Sequence, residues 1–369
     1  MSLLLKKKYK NLYKILVSYK DKKIFLLTGK KSFYKSGADK IFKKILEKAK
    51  LIIHFKKKKF PTLEELKTIN KKLDLIKPDL FLAIGGGTVL DYAKISNSVS
   101  KDRRLEKQII SQNLKLKKKH RLIAIPTTAG SGAEVTSNAV IYIKKIKYSI
   151  EGKPVLPNDF FLIPELILNL EKKIKASTGF DALSQSIESI ISVKSNNESI
   201  KYAKKSIQLI KKNFINFFKY PTLKNALQMS KAAYYSGKAI SITKTTAPHA
   251  ISYPFSACFG ISHGHAVSLT LNKFLRHNLD NLDKSQCKFD LKKRYKILYS
   301  STKTRNFNEL DNYLNSLKKK IKLEQNFKKL GINIEKKTSL LINGVNLKRL
   351  NNNPVKISKT DLIQILNKK

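Results

Sequence analysis

Tryptophan is missing from this 369-residue chain and cysteine occurs only twice. Cys258 and Cys287 lie far apart and fit no metal or redox spacing, which excludes a disulfide framework and points to a reducing compartment, taken here as the cytoplasm. Glycine and proline are sparse, and no internal repeat is visible. Long apolar runs are lacking as well. None approaches the roughly 20 residues that a membrane-spanning helix needs. The opening MSLLLKKKYKNLYKIL offers three consecutive leucines before charge returns, too few for a signal-peptide core. No membrane partner is expected. Acidic residues are the largest deficit: 26 Asp+Glu stand against 76 Lys+Arg, a formal charge of +50.

Such a charge allows binding to nucleic acid or an anionic surface through released counterions. A dedicated binder concentrates its basic residues and sets aromatic or base-reading residues among them. Here lysine is scattered through almost every segment, so no specific nucleic-acid partner is expected, and adventitious polyanion binding at low salt stays open. Lysine, asparagine, isoleucine, phenylalanine and tyrosine are all abundant, and all have codons rich in A and T. The lysine excess is therefore read as base-composition drift on solvated faces. The hydrophobic fraction, 41%, is that of a globular chain. The length suffices for two domains with a sizeable core.

The first half alternates strand and helix patterns. KIFLLTG (23–29), LIIHF (51–55) and PDLFLAI (78–84) read as buried parallel strands, with helices expected over 36–50 and 62–75. Thr62 has Glu65 three residues on and suits an N-cap. This alternation implies a Rossmann-like parallel sheet. Arg121–Ile125 is a further strand, and Val140–Ile143 with Lys147–Ile150 a pair of short ones. From about Pro164 the periodicity is helical to the end, including single helices over 178–191 and 263–274. The expected architecture is an α/β nucleotide-binding domain at 1–163 followed by an all-α domain at 164–369.

Ligands bind at the carboxyl ends of parallel strands. Gly85-Gly86-Gly87 stands there, ahead of a helix opening at Thr88. Its backbone could approach a pyrophosphate, or it could be a tight strand–helix turn. Asp91 and Lys94 could be an ordinary i,i+3 pair. The hydroxyl-rich Pro126–Gly132 does not match the GxSxG elbow, which rejects a serine hydrolase. His249 and His263, fourteen apart in the lysine-free stretch 246–271, are core histidines or metal ligands.

Four stretches poor in lysine, FLAIGGGTVLDYAK, IPTTAGSGAEVTSNAVI, ASTGFDALSQSIESIISV and TAPHAISYPFSACFGISHGHAVSLTL, together resemble the iron-containing (group III) alcohol dehydrogenase family, in the family's order. The likeness runs to Asn352–Val355. It implies a cleft between a nucleotide-binding half and a helical half, a homodimer, and hydride transfer between a nicotinamide and an alcohol or aldehyde.

It also implies residue roles. Gly85, Gly86, Gly87, Thr88, Asp91, Thr127, Thr128, Ser131 and Lys147 would face the cofactor. Gly29 falls where the family carries an acid when it prefers NAD. Its lack of a carboxylate opens room for a 2′-phosphate, with Lys30 and Lys31 nearby, so both NAD and NADP stay open. A divalent ion, Fe2+ or Zn2+, would be held by Asp181, His249 and His263. The fourth ligand position falls on Gln185 instead of the usual histidine, and leaves either a weak ligand or water. Tyr253, where many members have histidine, and His265 are candidate proton relays. FDALSQSIES and its neighbours are most similar to a branch acting on polyhydroxy or anionic substrates, such as deoxyoctulosonate oxidation or phosphonoacetaldehyde reduction. Two other readings stand beside the enzyme: a metal-free relic, and a polyanion-binding protein on the same scaffold.

Overall fold

Runs such as IFLLTG and LFLAIG carry side chains that need cover on both faces, which a parallel sheet between helices provides. The structure, a computed structural model, describes residues 2–100, 102–144, 146–345 and 350–367. It divides into two compact units: Met1–Thr128 with Ala133–Leu170, and Ala129–Gly132 with Glu171–Lys369.

The first unit holds β1 (Lys23–Gly29), β2 (Lys50–Lys56), β3 (Leu80–Gly85), β4 (Arg121–Pro126), β5 (Asn138–Ile143), β6 (Ile146–Glu151) and β7 (Asp159–Phe160). Its helices are α1 (Ser2–Lys8), α2 (Lys10–Ser18), α3 (Lys30–Lys35), α4 (Ala38–Leu46), α5 (Leu63–Ile76), α6 (Gly87–Ser96) and α7 (Leu105–Ser111). Five strands form a parallel sheet in the order β2-β1-β3-β4-β7. The two-residue side-chain period splits the sheet's cover cleanly. Phe25, Leu27, Phe81, Ala83, Leu122 and Ala124 pack with α5 and α6. Ile24, Leu26, Leu80, Leu82, Ile123 and Ile125 pack on the other face with Leu12, Leu16 and Phe42. The chain passes outward from β1 to β2, then returns to β3 and builds the other way. The order therefore reverses between β1 and β3, which is where doubly wound sheets bind ligands. The strand ends at that point are Gly29 and Gly85.

Thr62 caps α5, its hydroxyl accepting Glu65 N at 3.4 Å. The Glu65 carboxylate does not reach back to complete a capping box. It takes Lys58 N at 2.9 Å and the Tyr92 hydroxyl at 3.0 Å, and is also bonded to Lys57 N. β5 and β6 pair as a separate antiparallel hairpin. Lys94, with no exposed surface, holds the approach to it: Nζ donates to Ala133 O, Thr136 Oγ1 and Asn138 O at 2.7–2.8 Å.

The second unit is helical: α8 (Lys172–Ile191), α9 (Asn197–Lys219), α10 (Leu223–Thr243), α11 (Ala247–Phe259), α12 (His263–Ser268), α13 (Leu271–Asp280), α14 (Leu291–Thr302), α15 (Phe307–Lys320), α16 (Ile334–Asn343) and α17 (Lys359–Asn367). Capping boxes open α9 at Asn196 and α10 at Thr222. Apart from Ala129–Gly132, the second unit begins at Glu171, and Ile163 and Leu166 are buried in the core of the first. The single helix expected over 263–274 is two. Leu269 N and Thr270 N bond Ala266 O and Val267 O, so the turn tightens and α12 ends. No helix among the described residues is long and apolar enough to cross a membrane.

Candidate metal and cofactor sites

α8 is buried on nearly every side and made largely of small residues. Helical spacing sets Asp181, Gln185 and Glu188, at i, i+4 and i+7, on one face. α12 reaches that face through a glycine: a Cβ at Gly264 would lie 2.0 Å from Ser177 O and 2.8 Å from Asp181 Cβ. This close approach brings His263 beside Asp181, and α11 supplies His249.

Asp181, His249 and His263 offer ligand atoms that all lie within 4.8 Å of one another. Asp181 Oδ1 is 3.2 Å from His249 Nε2 and 3.8 Å from His263 Nε2. Two ligand atoms ~2.1 Å from a tetrahedral ion stand about 3.4 Å apart, so this spacing suits one. Asp181 and His249 are buried, while the His263 side chain keeps 33% of its exposure, so the site opens on that side.

Hydrogen bonds fix which nitrogens face inward. The single Ser252 hydroxyl proton goes to His249 O at 2.7 Å. Ser252 Oγ can then only accept from His263 Nδ1, 3.2 Å away, which leaves the Nε2 lone pair towards Asp181. His249 Nδ1 meets the carboxylate of Glu188, whose other oxygen takes Thr246 N at 2.7 Å and Thr246 Oγ1 at 2.8 Å. Burial opposes charge on His249, but Glu188 and Asp181 outweigh it and push its pKa up to about 10. The pocket is built for a cation, and two imidazoles with a carboxylate suit a divalent transition metal.

Gln185 sits among these residues, yet its carbonyl is turned away. Nε2 donates to Asp181 Oδ2 at 3.3 Å, and Oε1 accepts from Ser236 Oγ at 3.0 Å. Tyr253 stacks on His263, with ring centroids 5.4 Å apart and planes at 13°. His265 is not part of the cluster. Two residues on from His263, its ring meets Glu324 O at 2.6 Å, and burial lowers its pKa. Glu188 was not singled out from sequence. The signal was its i+7 place on a helix whose i and i+4 positions already drew notice.

In the first unit Gly29 and Gly85 end the two strands at the switch point, and Thr127 and Thr128 follow the neighbouring β4. A Cβ on Gly85 would lie 2.5 Å from Val89 Cγ2, so that glycine also answers to packing. Gly86 N-caps α6 in extended conformation, and Thr88 Oγ1 donates to Lys59 O at 3.2 Å. Thr127 N bonds Gly85 O at 3.0 Å, and its buried Oγ1 has no hydrogen-bond partner among the described residues. Such an orphaned hydroxyl fits a ligand-lined position. Thr128 lies against Gly86, its Cγ2 3.4 Å from that Cβ position. Burial raises Asp91 to about 6, with Lys94 and Lys147 pulling it down. Gly29 pairs in register with Lys56, and a Cβ there would lie 2.8 Å from Ser32 Oγ and 3.7 Å from Lys56 Cε. Ser131 falls in Ala129–Gly132, the segment that belongs to the second unit.

Comparison with known proteins gives the family. Residues 3–164 match the family described as iron-containing alcohol dehydrogenase, and residues 175–369 match its C-terminal region. Phosphonoacetaldehyde reductase of Streptomyces viridochromogenes is 33% identical over 227 residues, 59% of this chain and 58% of that protein. The chain thus spans 56–59% of the length of some curated relatives it matches and 26% of others. Among solved structures, sulfoacetaldehyde reductase from Bifidobacterium kashiwanohense in complex with NAD+ superposes with TM-score 0.83 at 25% identity, over 97% of this chain and 92% of that one. An iron-containing alcohol dehydrogenase from Thermotoga maritima superposes with TM-score 0.81 at 23% identity, over 98% and 94%, a likeness of fold. On its matched domains, this chain belongs to the iron-containing alcohol dehydrogenase family.

Proposed function

We propose that the chain is a metal-dependent, NAD(P)-linked oxidoreductase that interconverts a primary alcohol and an aldehyde. The observation that carries this reading is the convergence of Asp181, His249 and His263, whose ligand atoms lie within 4.8 Å of one another. A divalent ion held there, Fe2+ or Zn2+, supplies a Lewis acid for the substrate oxygen, and the nicotinamide supplies or accepts the hydride. The chain's own residues do the rest. Ser252 and Glu188 hold the two imidazoles in the ligand tautomer. Gly85–Thr88 and Thr127 line the nucleotide end of the sheet. Gln185 restrains Asp181 through a donated hydrogen bond, which leaves its role as a ligand unsupported. A proton must travel between the substrate oxygen and solvent. Tyr253, stacked on His263, has better support for that path than His265, which is bonded to Glu324 O.

The absence of a carboxylate at Gly29 supports NADP as the preferred coenzyme, with the Ser32 hydroxyl and the Lys56 side chain beside that position. The names of the two reductases above, both acting on short aldehydes that carry an anionic group, support an anionic aldehyde as substrate. The metal-binding geometry and the family favour an enzyme over a relic or a polyanion-binding scaffold. A homodimer in the cytoplasm completes the reading. Both cysteines are free, as a reducing compartment requires, and light scattering tests the dimer.

Metal analysis of the purified protein, paired with NADPH and NADH oxidation on a panel of anionic and neutral aldehydes, tests the function. We expect a stoichiometric divalent metal, faster NADPH oxidation, and loss of turnover in a folded His263→Ala variant. Undiminished activity in that variant would refute the metal's role.

A further inference from the structure

We propose that Glu188 is the positioning residue of the metal site: it fixes the His249 tautomer and supplies the second negative charge that a divalent ion requires. The proposal rests on the metal-dependent reading above. Glu188 has no exposed surface, in a chain rich in lysine. Even so, among the described residues no lysine or arginine lies within ion-pair distance of it, and its partner is His249. A buried carboxylate is costly unless a charged partner, hydrogen-bond donors or a metal compensate it, and here the compensation runs through His249.

Its donors all come from one turn. Thr246 N and Thr246 Oγ1 bond one oxygen, at 2.7 and 2.8 Å, and His249 Nδ1 bonds the other. Both oxygens are therefore engaged, and Glu188 is not free to act as a ligand itself. Its influence runs through the imidazole. With Nδ1–H committed to Glu188, Nε2 is the nitrogen that faces Asp181 Oδ1, 3.2 Å away: it donates to that oxygen in the metal-free chain and becomes the ligand atom when an ion displaces its proton. This is the carboxylate–histidine–metal relay, in which the outer partner orients the ring and raises its basicity.

Charge makes the same point. Asp181 and Glu188 bring two negative charges to a buried pocket in which Gln185, Ser252 and the two ligating imidazoles are neutral. A divalent ion balances that set. The missing fourth imidazole at position 185 leaves the site more dependent on what holds the remaining ligands.

A purely structural reading is that Glu188 only anchors the start of α11 through Thr246. The two readings separate by experiment. Zn2+ affinity would be measured by competition with a chromophoric chelator for the full chain and for Glu188→Gln and Thr246→Val, with circular dichroism reporting the fold. We expect Glu188→Gln to weaken Zn2+ binding by roughly 10–100-fold, and Thr246→Val to lower the thermal midpoint while leaving most of the affinity. Unchanged affinity in Glu188→Gln, or an equal loss in Thr246→Val, overturns the proposal. If Glu188→Gln does not fold, Glu188→Asp withdraws the charge from His249 by one methylene; weakened binding then supports the role and unchanged binding overturns it. A wild-type chain that binds no Zn2+ or Fe2+ would instead defeat the metal reading itself.

Discussion

Lys318 is one lysine among dozens by sequence, but in α15 it is buried, as Lys94 is in the first unit. It is 3% exposed, and Nζ donates to Asn272 Oδ1 at 2.7 Å over the ring of Phe180. Burial pushes its pKa down to about 7; Asp311 pulls it back up and Lys273 adds to the fall. Between about 7 and the ordinary 10.5, the unfolded chain binds a proton that the folded chain does not. The folded state is therefore penalised fully below about 7, and the penalty is relieved as the pH rises towards 10.5. Lys318→Met removes this term. Thermal midpoints taken from pH 7 to 10 at constant ionic strength should move in the wild type's favour relative to that variant as the pH rises; a constant difference would show the amine to be charged throughout. Glu188 and Gln185 teach the complementary lesson. Their letters and spacing could be read in advance, but which way an amide turns, and which imidazole a carboxylate meets, depends on α10 and α11, far away in sequence.

At the level of elements, the approach of α12 to α8 deserves a direct test. Gly264→Ala places a methyl 2.0 Å from Ser177 O, which is main chain and cannot swing aside. Overpacking of this kind typically costs about 1–3 kcal/mol. The variant should melt earlier and also lose bound metal, since His263 is carried away from Asp181; thermal unfolding with metal analysis on the same sample reads both. Many elements were legible from sequence because their signals are local. The strands 23–29 and 78–84 are apolar runs closed by glycine, Thr62 precedes its helix as a cap should, and 178–191 falls inside α8. What was not legible depends on distant contacts. α3 follows Gly29 with little apolar signal, the turn at Leu269–Thr270 breaks an otherwise continuous helical pattern, and Ile163 and Leu166 side with the sheet although their surroundings read as helical. The grouping of Asp181, His249 and His263 was legible only because the motifs were matched as a set.

For the molecule as a whole, the formal charge of +50 is the dominant long-range term. Like charges repel across a compact chain, and salt screens them over a Debye length of about 10 Å at 0.1 M. The thermal midpoint should rise as monovalent salt is increased from low to moderate concentration, and any retention on a heparin column should vanish over the same range. A midpoint that falls with salt would mean that attractive pairs, such as Arg121 with Asp159, outweigh the repulsion. One arrangement has a further consequence. Asp181, His249 and His263, with Glu188 behind them, all belong to the segment Glu171–Lys369, so every candidate ligand lies in one half of the chain. On the proposed function, metal loading needs only that segment, so the chain stripped of metal should keep its affinity for dinucleotide.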